Sequence, residues 1–290
     1  MNFQFFTILF LLQLFQSQSR DFCDQNCVKI SGLRGPLYYE TLTQLYDVTD
    51  LKILNNQITE IETGAICSLP TLQKLELNFA GNFQAPPLAK NVFTQCKHQL
   101  RHLFVKLDFE KPSTIENDTF EEMHLRTLAL DGHKIGHLEK NFLKLRRESL
   151  TRLVLMRCYI SEIDINAFEG MSHLEELEIS YNKNLTGLRK NVFRGVSNLK
   201  RLFLDYNRIR DLSWNEFEGL FKLEVLNLTG NRIFNFDADK VIAILPNLKY
   251  LEIKKNLWPC KLKEIFANQL IEKMHDSVTV VYADDNICDL

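Results

Sequence analysis

Leucine recurs along this chain with a period that few folds can accommodate. The spacing L-x-x-L-x-L-x-x-N-x-I is filled by Leu199, Leu202, Leu204, Asn207 and Ile209, and again by Leu223, Leu226, Leu228, Asn231 and Ile233. Further copies begin at Val48, Leu72, Leu100, Leu125, Leu150, Leu174 and Leu248, and the intervals along the series are 24, 28, 25, 25, 24, 25, 24 and 25 residues. A period of this length is one supersecondary unit repeated. Each L-x-x-L-x-L stretch holds one short strand whose leucines point inward, and a single unit cannot bury that face alone, so the units must stack and be capped. The Asn that follows each strand can bond backbone groups of its own and the adjacent turn, which the bend would otherwise leave unpaired. Asn56, Asn182, Asn207, Asn231 and Asn256 fill this position, with Asp108, His133 and Cys158 standing in elsewhere. Phe142, Phe168, Phe193 and Phe217 fall in the second half of their units and close the core from behind.

The pattern resembles the extracellular leucine-rich-repeat family, and the resemblance covers residues 48–258. It implies an α/β fold class: a single curved solenoid or horseshoe with a parallel concave sheet, about nine repeats, an N-terminal cap over 20–47 and a C-terminal cap over 259–290. Cys23 and Cys27 are similar to part of the family's N-terminal cap, which implies a Cys23–Cys27 bridge. Asn256-Leu-Trp258-Pro-Cys260 resembles the opening of the C-terminal cap, for which Cys288 is the natural partner of Cys260. Residues 261–274 read as a helix with Leu262, Ile265, Phe266 and Leu270 on one face, and 278–282 as a last strand.

Seven cysteines are an odd number. Cys67 and Cys96 follow the convex apolar residue in successive repeats, so a Cys67–Cys96 bridge is expected, although the pairing among Cys23, Cys27, Cys67 and Cys96 stays open at this point. Cys158 is then left as a buried thiol. Two irregularities break the period: an inserted convex loop near 79–90, and one extra residue that places Asn184 and Leu185 on a small bulge.

The N-terminus predicts export. Residues 1–19 read as a signal peptide, with an apolar run from Phe5 to Phe15 and small residues at Ser17 and Ser19. Asn117, Asn184 and Asn227 each open an N-x-Thr triplet, the acceptor for N-glycosylation. No second long apolar stretch follows, so a secreted, extracellular protein without a membrane anchor is expected. The net charge of −2 supplies no global basic field for nucleic acid.

No catalytic constellation is legible: there is no nucleophile elbow, no H-E-x-x-H and no phosphate-binding glycine loop. The chain is therefore read as a non-enzyme with no catalytic residue, cofactor or metal. Glu175 and Glu176 read as a solvated strand face, and Glu178 joins them in an acidic group next to the basic residues. Binding is the expected function, and the repeat itself points to the surface. Positions two, three and five of L-x-x-L-x-L face outward on the sheet. Position five runs Lys52, Glu76, Phe104, Ala129, Val154, Glu178, Phe203, Asn227 and Glu252. Phe104, Ala129 and Val154 should form an apolar stripe flanked by Leu107 and Met156, with Tyr181, Phe203 and Tyr206 as a second group. Arg101, His102, Lys106, Arg126, Arg152 and Arg157 surround the stripe. A glycan on Asn227 would obstruct its part of the sheet, placing the footprint on the repeats from Leu72 to Leu199.

Two readings follow. The first is a soluble recognition protein that engages an extracellular protein through the concave face, in innate immunity or cell adhesion. It is similar to the small secreted leucine-rich proteins of invertebrate immunity, without their coiled-coil tail. The alternative is a binder of sulfated glycan or extracellular matrix through the basic group, an acidic partner.

Overall fold

The computed structural model describes residues 26–282, except 83–84, 90–91, 94–95, 97, 109, 111, 117, 141, 143, 236, 259 and 274–277, and it gives the backbone only of 43 and 260–264. The expected signal peptide, Cys23, Asn117, Cys288 and the side chain of Cys260 lie outside the described residues.

Every repeat contributes one short strand to a single parallel sheet of 11 strands. The nine repeat strands are Asp50–Leu54, Lys74–Asn78, His102–Lys106, Thr127–Asp131, Arg152–Met156, Glu176–Glu178, Arg201–Phe203, Val225–Asn227 and Tyr250–Glu252. They pair in chain order, as a solenoid that advances one unit per turn requires. The sheet also runs into both caps: Cys27–Ser31 pairs with the first repeat strand and Thr279–Val281 with the last. These end strands cover sheet edges that would otherwise present unpaired amides to solvent.

The core lies behind the sheet. The inward leucines, among them Leu75, Leu103, Leu128, Leu153, Leu177 and Leu202, are fully buried. Phenylalanines back them on the convex side. Phe168 and Phe193 stack at 6.1 Å and Phe193 and Phe217 at 5.8 Å, while Phe93 meets Phe120 at 6.0 Å. One ring per unit at a constant register produces this spine, because each ring lands beside its counterpart in the next repeat.

The asparagine ladder behaves as the sequence requires. Asn182 Oδ1 accepts from the Cys158 and Ile160 amides at 2.8 and 3.2 Å, and its Nδ2 donates to the Leu155 and Ser180 carbonyls at 3.0 Å each. Asn207, Asn231 and Asn256 repeat this bridging between neighbouring turns. Asn82, displaced by the insertion, still reaches back to the Ile58 carbonyl at 2.8 Å. Asp108 substitutes with its carboxylate, accepting from the amides of Gly81 and Glu110. His133 is the exception: it is buried, and neither ring nitrogen makes a hydrogen bond of ordinary geometry. Burial pushes its imidazole down to a pKa of about 3, so the ring is neutral.

The cysteines are placed as follows. Cys67 and Cys96 form a disulfide across two convex turns, with Cα atoms 5.0 Å apart. Cys27 is disulfide-bonded. Cys158 is a free thiol inside the ladder, fully buried, with its Sγ near the Met156 and Leu130 carbonyls. Burial raises its pKa, so it stays protonated.

Three local expectations need correction. The cap helix spans Cys260–Lys273, but Ile265 is 48% exposed, and Ala267 and Leu270 are the fully buried residues among its described side chains. Leu185 is not displayed on a bulge: it turns into the core, and the extra residue is absorbed by Asn184, which is exposed. Leu107 is 3% exposed and packs in the core, so it cannot flank a concave stripe. The equivalent residue of the preceding repeat, Phe79, is also fully buried, so in both units the residue just past the strand packs inward.

Candidate partner-binding face

The strand register lines up the central concave residues of the repeats. Lys52 pairs with Glu76, Glu76 with Phe104, Phe104 with Ala129, Ala129 with Val154, Val154 with Glu178, Glu178 with Phe203, Phe203 with Asn227, and Asn227 with Glu252. Strands in a sheet lie about 4.8 Å apart, so Phe104, Ala129 and Val154 form one continuous apolar column. Curvature of the solenoid makes this face a hollow of about 400 Å³, whose walls include Phe104, Ala129, Val154, Met156, Glu178, Tyr181, Phe203 and Asp205. Val154 is only 7% exposed, and Phe104 and Ala129 are half-buried, so Phe104 offers more of the accessible apolar surface than its neighbour two strands away.

Tyr181 and Tyr206 sit beyond the strand ends, in the turns that lead to the ladder. Both have positive φ, at 61° and 54°. Their rings stack at 4.7 Å with a 14° tilt, and the Arg157 guanidinium lies over Tyr181 at 5.9 Å. Gly230, at φ 69°, makes room for this arrangement, since a Cβ there would come within 2.7 Å of the Tyr206 ring. The two tyrosines therefore form a ridge on the rim of the hollow, while Phe203 lies in its floor.

The basic residues do not form one concave patch. Arg101 and Arg126 lie at the N-terminal ends of the strands, around a separate depression with His98 and Gln99. Arg157 lies at the opposite ends and is ion-paired with Asp131. Arg152 is central, but its Nε is 2.5 Å from Glu176, which also takes Arg201 at 2.8 Å. Lys74 pairs with Asp50 and Lys52 with Glu76. Positions two and eight of a unit are separated by the length of the strand, so a linear list of arginines overstates their proximity.

Acidic residues supply what the sequence reading missed. Glu176 is a two-arginine bridge with a largely buried side chain, not a solvated carboxylate. Glu178 stands in the column between Val154 and Phe203, with no hydrogen bond or ion pair among the described residues. Burial, reinforced by Asp205, pushes its carboxyl up to a pKa of about 7. Asp205 accepts from Ser180 Oγ at 2.8 Å, and burial raises its pKa too. Asp131 is likewise raised by burial, against the opposing pull of Arg157. The position of Glu178 between apolar residues in the column was the available signal.

Asn227 lies at the centre of the concave face, but it is 7% exposed and its Oδ1 accepts from the Thr229 amide at 2.9 Å. It forms part of the floor. On the convex side, His137 Nε2 approaches Asp164 at 3.2 Å and Glu162 at 4.0 Å, in a group able to offer three ligand atoms to a metal. Arg189 pairs with both of those carboxylates and offsets one of their two charges.

A curved parallel sheet with one strand per turn, an asparagine ladder and a phenylalanine spine defines a leucine-rich-repeat solenoid. The leucine-rich-repeat family model matches residues 148–193 and 182–233, within the stretch these repeats build. Among curated proteins the chain is similar to human Toll-like receptor 5, 28% identical over 54% of this chain and 18% of that receptor. It is also similar to human Toll-like receptor 8, 25% identical over 65% of this chain and 19% of that receptor. The chain thus spans less than a fifth of the length of these relatives.

Solved structures share the fold. A chain of the Drosophila Toll–Spatzle complex superposes with a TM-score of 0.65 at 19% identity, over 89% of this chain and 34% of that one. A chain of the octameric complex of Latrophilin 3, Unc5D and FLRT2 gives 0.64 at 19% identity, over 88% and 82%. A chain of the TLR13–ssRNA13 complex gives 0.59 at 17% identity, over 90% and 40%. Among the described residues no helix is long and apolar enough to cross a membrane.

Proposed function

We propose that this protein is a secreted, non-enzymatic recognition protein that engages an extracellular protein partner through the concave face of its solenoid. The observation that carries the reading is the in-register column of Phe104, Ala129 and Val154, continued by Phe203 in the floor of one hollow. Half-exposed aromatic residues in a concave, partly desolvated surface are the usual anchors of protein interfaces. Export is supported by the apolar stretch within residues 1–19 and by the Cys67–Cys96 disulfide, which an oxidising compartment maintains. Asn184, exposed on the outer turn, is the preferred glycan acceptor among the described sequons. Likeness to Toll-like receptors and to the Toll–Spatzle complex favours a role in innate immunity or cell adhesion. The sulfated-glycan alternative loses ground because Arg152 and Arg157 are already paired with Glu176 and Asp131.

The test is a binding screen of the full chain against a panel of extracellular domains. Phe104→Asp and Phe203→Asp proteins, shown by circular dichroism to remain folded, serve as comparators. A partner bound by the wild type and lost by both variants supports the reading. Partners bound equally by all three proteins move the site off the concave face.

A further inference from the structure

The concave hollow has an electrostatic asymmetry that its apolar column does not explain. From Arg152 to Lys254 the cations on this face are committed: Arg152 and Arg201 to Glu176, and Lys254 to Glu252 at 2.6 Å. Two acids remain without an ion pair among the described residues, Glu178 and Asp205. Glu178 ends its strand and Asp205 lies in the turn after the neighbouring one; both face the same hollow, with Val154 and Phe203 on either side of Glu178. A carboxylate held against apolar neighbours without a counter-ion destabilises the free protein. An incoming cation would be stabilised there more than at an exposed surface, because the site is already partly desolvated.

We infer that Glu178, assisted by Asp205, forms a subsite for a basic side chain of a protein partner, while Phe104 and Phe203 take the apolar residues that flank it. The inference rests on the concave-face reading above and specifies the chemistry of its partner. The occupant is a lysine or arginine in a segment that also carries a bulky apolar residue, and charge complementarity selects it over an acidic segment. The groups facing Glu178 are Asp205 and Asp131, which oppose its ionisation, as does Glu176 on its own strand, and Arg152, which favours it. Near neutral pH the carboxyl is part-protonated, so capturing a cation releases a proton and binding weakens as pH falls below about 7.

A random peptide library displayed on phage tests this, selected against the immobilised full chain at pH 7.5. The recovered peptides are then titrated against wild type, Glu178→Gln and Phe104→Asp. The expected result is enrichment of lysine or arginine next to an apolar residue, with affinity at least tenfold lower for Glu178→Gln and for Phe104→Asp. Wild-type affinity should also fall between pH 7.5 and 5.5, and that fall should shrink in Glu178→Gln. Peptides that lose binding to Phe104→Asp but show no basic preference, and bind Glu178→Gln unchanged, overturn the charge subsite and leave the concave-face reading standing. Peptides indifferent to Phe104→Asp overturn the concave-face reading itself, and recovery of no peptide counts against both.

Discussion

Replacing Asn182 by alanine probes the ladder where its hydrogen bonding is most complete. The side chain lies fully buried between two repeats and makes four hydrogen bonds with backbone groups. Two of the groups it serves, the amides of Cys158 and Ile160, have no other acceptor among the described residues. The Ser180 carbonyl keeps a second donor, the Arg157 amide at 3.1 Å, so the loss falls mainly on the donors. A buried amide left unpaired costs about 1–3 kcal/mol, so two give about 2–6 kcal/mol, with about 4 kcal/mol as the central expectation. That is a large fraction of the roughly 5–15 kcal/mol that holds a typical domain together. Urea unfolding of oxidised protein at pH 7, followed by far-UV circular dichroism, reads the change. Lys183→Ala, at the adjacent exposed position, is the control and should stay within about 0.5 kcal/mol of wild type. If Asn182→Ala unfolds within about 1 kcal/mol of wild type, the ladder does not satisfy those amides as described, because water would have to replace it at little cost.

Three further predictions follow from the same geometry. Opening the Cys67–Cys96 bridge with a Cys67→Ser/Cys96→Ser pair frees a loop with a sequence separation of 29. On the chain-entropy relation it should lower unfolding stability by about 3–4 kcal/mol, read by denaturant titration under non-reducing conditions. His133 is held neutral in the folded state, with its pKa depressed to about 3 from an ordinary 6.5, so the unfolded chain binds the extra proton first. Its contribution therefore becomes unfavourable as pH drops below 6.5 and continues to worsen toward 3, by about 1.4 kcal/mol per pH unit. His133→Asn, which restores the usual ladder residue, should flatten that slope, and parallel pH–stability curves for the two proteins would contradict this. Leu107→Ala should cost about 2–5 kcal/mol as a core truncation, whereas Phe104→Ala, half-buried on the hollow, should cost clearly less while weakening partner binding.

The sequence by itself determined the solenoid. A period of 24 to 28 residues, with leucines in fixed phase, leaves no other way to bury the apolar face, and the asparagine ladder follows from the backbone groups each turn must satisfy. The same phase placed Phe104, Ala129, Val154, Glu178 and Phe203 in one column, because side chains alternate along a strand and the register repeats. What only the tertiary structure decided lies where that phase slips or where charges interact across repeats. The turn after the third repeat strand took Leu107 into the core, and the extra residue at Asn184 let Leu185 fill it. Arginines that look clustered in sequence fell at opposite ends of the strands, several of them paired with acids from neighbouring units. Glu178 and Asp205 emerged as the uncompensated acids for the same reason. Periodicity sets the face on which a side chain lies, but its charge environment depends on the residues brought beside it by the turns before and after.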